Sequence, residues 1–180
     1  DAVSTVGERV VPRRAHDTLV MLRVLRYLDA HYTEPLRLSR LAALHGLELS
    51  LDLFEAVYRD GSLAGYDGFG LAVQAFQKRA VQVVEWLEFL GRAVGRKIPV
   101  RLVKGAYWDT EVKRSQEQGL PGYPVFTRKV STDVSYLACA RRLLAARDVF
   151  YPQFATHNAH TPAAIRDHAG DGEGYEFHRL

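Results

Sequence analysis

The 180 residues are 47% hydrophobic and 25% charged, the usage of an ordinary globular domain with room for a sizeable core. A net charge of +3 suits an anionic cofactor or a weak nucleic-acid contact without demanding either. A single cysteine, Cys139, excludes an intrachain disulfide, no apolar run is long enough to span a bilayer, and the first 14 residues are too polar for a secretory signal. A cytoplasmic chain is expected from this, with membrane contact confined to the periphery.

In chain order, residues 1–16 read as a polar lead-in. An amphipathic helix is predicted over 17–31, with Leu19, Leu22, Leu25, Tyr27 and Leu28 on one stripe. A short helix follows over 36–44, and another over 50–59 places Leu51, Phe54 and Val57 on one face. Residues 61–70 carry glycines at 61, 65, 68 and 70 and read as a loop. The pattern then changes. Apolar runs over 69–75 and 98–103 read as buried strands, a third strand ends at Phe154-Ala155-Thr156, and a fourth opens at Tyr175. Helices are predicted over 77–94, 109–118 and 131–146, the last with Thr132-Asp133 as its start. A final helix opens at Thr161-Pro162, with proline at a tolerated first-turn position. Strand and helix in alternation predict an α/β fold with a parallel sheet of about four strands. Cys139 falls in an apolar helical stretch and is expected to be a buried core thiol.

Two short patterns lead nowhere. The run GYDGFG at 65–70 has the wrong glycine order for a dinucleotide fingerprint and precedes a strand instead of following one. No metal-ligand spacing is present, because there is no cysteine pair and His157 and His160 have no strong further ligands nearby in sequence. No metal is expected.

Longer runs are more specific: VRLVKGAYWD at 100–109, YPVFTRK at 123–129 and YPQFATHNAHT at 151–161, supported by QAFQKR at 74–79 and TDVSYLACA at 132–140. In this order and spacing they resemble the FAD-dependent proline dehydrogenase barrel of the bifunctional proline utilization A family, over residues 47–180. The resemblance implies part of a distorted (β/α)8 TIM barrel behind a small helical segment at 1–46. A complete barrel takes about 250 residues, so a partial barrel short of a complete enzyme is expected. Residues 27–47 resemble instead the opening of an AraC-type helix-turn-helix. The recognition helix that such a motif needs is replaced from Glu48 onward by dehydrogenase-like sequence.

The family chemistry is oxidation of L-proline to pyrroline-5-carboxylate with hydride transfer to flavin N5. By resemblance, Arg101 is the catalytic residue beside the isoalloxazine, and Gln74 hydrogen-bonds a flavin carbonyl. Val103, Lys104, Gly105 and Ala106 form the strand exit against FAD, with Trp108 on the adenosine side. Thr127 and Lys129 lie near the ribityl and diphosphate groups with Arg128 beside them, and Thr156, His157 and Asn158 complete the FAD set. Tyr107 packs on the substrate ring. The residue types fit these roles: a cation near the flavin ring favours its reduction, and a glycine permits close backbone approach. Taken bare, Arg101 reads equally well as a surface salt-bridge arginine, and Lys104-Gly105 as an ordinary turn. His160 and His16 have no such support and read as surface residues.

Departures from the family pattern are expected to matter. The segments that clamp the proline carboxylate have no counterpart here, and an ungapped count back from Gln74 puts Arg40 where the family has an aspartate. His178 stands where the family has a glutamine against FAD. The expectation is therefore weak FAD binding without proline turnover by this chain alone. Further partners implied are a quinone-type electron acceptor, the inner-membrane surface and a second copy of the chain; nucleic acid is not expected. The alternative reading is a non-catalytic fusion remnant with weak DNA-binding character.

Overall fold

The computed structural model describes residues 46–63, 65–170 and 172–178. The helices predicted over 17–31 and 36–44, nearly all of the helix-turn-helix likeness, and Arg40 lie outside the described residues. The chain divides into two compact units, Asp1–Gly65 and Tyr66–Leu180. In the first, helix α1 (Gly46–Arg59) begins four residues before the predicted start and runs into a 3-10 turn at Gly61–Leu63. Phe54, Val57 and Tyr58 are buried, and the Phe54 and Tyr58 rings stack at 5.5 Å.

The second unit is an α/β layer structure. Strands β1 (Leu71–Gln74), β2 (Ile98–Val103), β3 (Phe150–Ala155) and β4 (Glu176–His178) form one sheet in the order β1-β2-β3-β4, parallel throughout. The predicted α/β class and four parallel strands are what the structure shows. Between strands lie α2 (Ala80–Val94), α3 (Trp108–Glu117), α4 (Lys129–Ala145) and α5 (His160–Ala169).

The core lies on one face of the sheet. Ile98, Val100 and Leu102 alternate along β2, and Phe150, Pro152 and Phe154 along β3; all are buried. Val84, Leu87 and Leu90 of α2, and Tyr136, Cys139 and Leu143 of α4, are buried as well. Cys139 is the expected core thiol, and burial pushes it up to about 11. Helix α2 ends where Gly95 adopts φ 70°, a left-handed cap whose N–H reaches the Gly91 carbonyl. Pro99 and Pro152 cannot donate to a ladder. Each stands one residue ahead of the point where a second neighbouring strand joins, β1 at Val100 and β4 at Gln153.

Helix α4 corrects one expectation. It starts at Lys129, not at Thr132-Asp133, and its N-cap residue Arg128 makes no side-chain capping bond. Thr132 is buried, and the Asp133 carboxylate is held by two lysines, so neither is a cap. The strand predicted from residue 69 is shorter, beginning at Leu71, and residues 75–79 form turns before α2.

Candidate functional site

Strand ends and the turns beyond them build a cleft of about 340 Å³ at the C-terminal edge of the sheet. It unites Gln74 at the end of β1, Val103, Lys104, Gly105 and Ala106 beyond β2, Lys129 at the start of α4, and Ala155, Thr156, His157 and Asn158 beyond β3. This edge is where barrel enzymes build their sites, because the turns there vary while the strands hold them in place.

Backbone hydrogen bonds lock these turns together. Ala75 N–H donates to the Val103 carbonyl and Phe76 N–H to Lys104, both at 2.8 Å. Phe126 N–H donates to the Phe76 carbonyl, and Lys78 N–H to Pro124. The Trp108 Nε1–H donates to the Phe126 carbonyl at 2.8 Å, which pins the start of α3 to the same assembly. The Ala106 N–H donates to Gln74 Oε1 at 2.9 Å, so the Gln74 amide presents its NH2 as the remaining donor. Asn158 N–H donates to Thr156 Oγ1, and Asn158 Oδ1 accepts from His160 N–H, a turn that delivers the chain into α5. Beneath the cleft, the Tyr136 hydroxyl lies 3.3 Å from both the Leu102 and Ala155 carbonyls, which share its proton; burial raises its pKa.

Two lysines give the cleft its charge. Lys104 Nζ sits 2.5 Å from Asp133 Oδ1, and Lys129 Nζ 2.6 Å from Asp133 Oδ2. The hydrogen bonds from Lys104 and Lys129 hold the Asp133 carboxyl below its usual range. Backbone conformation is special nearby. Tyr107 is 81% exposed and takes φ 63°, the one left-handed non-glycine among the described residues. Such a conformation costs an aromatic side chain about 1–2 kcal/mol and gathers at functional sites.

Other predicted site residues lie off the cleft. Arg101 is on β2, in register with Ala72 and Gln153, on the face opposite the buried core. Its Nε–H is buried and has no hydrogen-bond acceptor among the described residues. Trp108 is 40% exposed at the first position of α3, and Thr127 and Arg128 are exposed just before α4.

Four residues escaped the sequence reading. Tyr151, Gln153 and Glu176 lie on the same sheet face as Arg101, and Asp133 bridges the lysines. Glu176 accepts from Gln153 Nε2 at 2.8 Å and from the Tyr151 hydroxyl at 3.3 Å, and lies 2.7 Å from His178 Nε2. The His178 contact, above the others, holds the Glu176 carboxyl below its usual range, whereas burial and then the Glu176 charge raise the Tyr151 phenol. For the three strand residues a signal was available: polar residues at i and i+2 in β3 and β4 are unusual in a parallel sheet, whose strands are normally apolar on both faces.

Comparison with known proteins places this geometry. The proline dehydrogenase family profile matches residues 42–180. The bifunctional protein PutA of Salmonella typhimurium is 56% identical over 137 residues, which covers 74% of this chain and 10% of that protein. A crystal structure of a bifunctional proline utilization A protein superposes with a TM-score of 0.72 at 60% identity, over 75% of this chain and 14% of that one. A Bradyrhizobium japonicum proline utilization A variant gives 0.74 at 49% identity, over 91% and 17%. The chain thus spans about a tenth of the length of the curated relatives it matches, and its four parallel strands are part of a TIM-type barrel. Both the profile match over residues 42–180 and the shared fold make this chain a member of the proline dehydrogenase family.

Proposed function

We propose that the cleft at the strand ends holds FAD and that the chain supplies the flavin-binding part of a proline dehydrogenase. The observation that carries this reading is the convergence of Lys104 and Lys129 on one cleft that also gathers the β1 and β3 exits. Residues present fit the cofactor. Lys104, Lys129 and the 156–158 turn offer cations and donors to a diphosphate. The spare NH2 of Gln74 suits a flavin carbonyl, and the unpartnered, buried Arg101 Nε–H suits a ring nitrogen or oxygen. When bound, FAD would accept a hydride from the carbon next to the proline nitrogen.

This chain's own residues do the rest. The fixed cation of Arg101 would favour negative charge on a flavin held beside it, and the locked turns keep the cleft in shape before the ligand arrives. Tyr107 offers a large exposed aromatic face to a five-membered substrate ring. Electrons leaving a reduced flavin need an acceptor; a quinone at the inner membrane surface, with the chain in the cytoplasm, goes with this reading.

The experiment is reconstitution with FAD followed by an anaerobic reductive titration. A bound flavin spectrum is expected, and Arg101→Met should lower the flavin midpoint potential by about 30–60 mV, equivalent to one lost charge-assisted contact. A chain that takes up no FAD, or an unchanged potential in the variant, would overturn the assignment. Bleaching of the bound flavin by proline tests the substrate class.

A further inference from the structure

We infer that Asp133 is a positioning residue that holds Lys104 and Lys129 side by side, so that both ammonium groups meet the diphosphate of a dinucleotide cofactor. The inference rests on the flavin reading above and goes beyond it to a residue that does not line the cleft. Lys104 comes from the turn after β2, and Lys129 is the first residue of α4. Their side chains are unequally exposed, 26% and 73%, yet each meets a different oxygen of one carboxylate, at 2.5 and 2.6 Å.

Two ammonium groups brought to one cleft repel each other, and long flexible side chains would relieve that by swinging apart. A carboxylate behind them offsets the repulsion and fixes both directions at once. Each ammonium has three N–H groups, so one spent on Asp133 leaves two for an incoming anion. The triad keeps a net positive charge, two cations against one carboxylate. Asp133 itself is the fifth residue of α4, one turn on from Lys129. Hydrogen bonds from Lys104 and Lys129 hold its carboxyl below the usual carboxylate range.

A rival role has the opposite sign. If Asp133 merely competed with the diphosphate for the lysines, removing its charge would tighten binding. FAD and riboflavin, which lacks the diphosphate, are therefore titrated into the full chain and its Asp133→Asn and Asp133→Glu variants. The expected result is a rise in the FAD dissociation constant of about tenfold in Asp133→Asn, the scale of one lost charge-assisted bond. Riboflavin affinity should stay unchanged, and Asp133→Glu should recover most of the loss. Melting temperatures of the flavin-free variants report on the fold. A second arm guards against misfolding: in a Lys104→Met/Lys129→Met background, adding Asp133→Asn should alter FAD affinity by less than about twofold, because the lysines it works through are gone. Tighter FAD binding by Asp133→Asn, or an equal loss for riboflavin, would overturn the inference. Normal FAD binding by the parent chain with no effect of Asp133→Asn sinks this inference alone, whereas a parent chain that binds no FAD sinks the flavin reading as well.

Discussion

At Gly105 the backbone takes φ 130°, and a Cβ added there would stand 2.1 Å from Cδ1 of the Phe76 ring. Both conditions demand glycine. The residue lines the cleft directly, so the requirement belongs to the site and not to a distant turn. Gly105→Ala should destabilise the chain by about 2 kcal/mol or more, combining left-handed strain with displacement of a buried ring; thermal or urea unfolding measures it. Tyr107 poses the opposite case. Its φ of 63° is unfavourable for tyrosine, and its side chain is too exposed to gain much from packing. Tyr107→Gly should leave stability unchanged or raise it by about 1 kcal/mol, whereas Tyr107→Val should lower it, since a β-branched residue tolerates this conformation worst. Equal melting temperatures for the two variants would show that the strain is absent.

Among the elements, α4 and β4 carry carboxylates whose ionised forms the fold favours. Lys104 and then Lys129 lower Asp133, and His178 first among its partners lowers Glu176. A carboxyl whose folded pKa lies below its unfolded value contributes stability above the unfolded value, and the contribution disappears as pH falls through the folded one. Stability from these groups should therefore be level above about pH 5 and decline below about pH 4. Glu176→Gln should flatten that acid limb in melting curves taken from pH 7 to 2.5; an unchanged limb would mean that the contacts at Glu176 do not persist in solution. The elements also show what the sequence makes legible. The strands announce themselves as short apolar runs bounded by glycine or turn residues, whereas Gln74, 103–106 and 156–158 were picked out by the family resemblance, and the structure brings them to one cleft at the strand ends. The start of α4 was hidden, because Thr132-Asp133 has the composition of a cap while the contacts that occupy it come from residue 104, far away in sequence. The alternating polar residues of β3 and β4 were visible in the sequence, but which of them meet was not: Tyr151, Gln153 and Glu176 become one cluster only once the two strands are paired in register.

For the whole molecule, the second unit presents a sheet with its apolar face covered by helices and its other face polar around Arg101, Gln153 and Glu176. Four parallel strands with helices on one face form part of a TIM-type barrel, a fold that builds its sites at the C-terminal ends of the strands. On the function proposed above, the lysine-lined cleft at the C-terminal edge of the sheet recognises the anionic part of FAD. Each charge-assisted contact contributes roughly 1.5–3 kcal/mol, so several together reach the 8 kcal/mol or so of micromolar affinity. The most direct measurement is a calorimetric titration of FAD into the parent chain and into Lys104→Met/Lys129→Met. A dissociation constant on the order of micromolar is expected for the parent and a weakening of about 100-fold or more in the double variant; equal affinity in the two, or no binding by the parent at about 100 μM FAD, would show that the lysines do not recognise the cofactor.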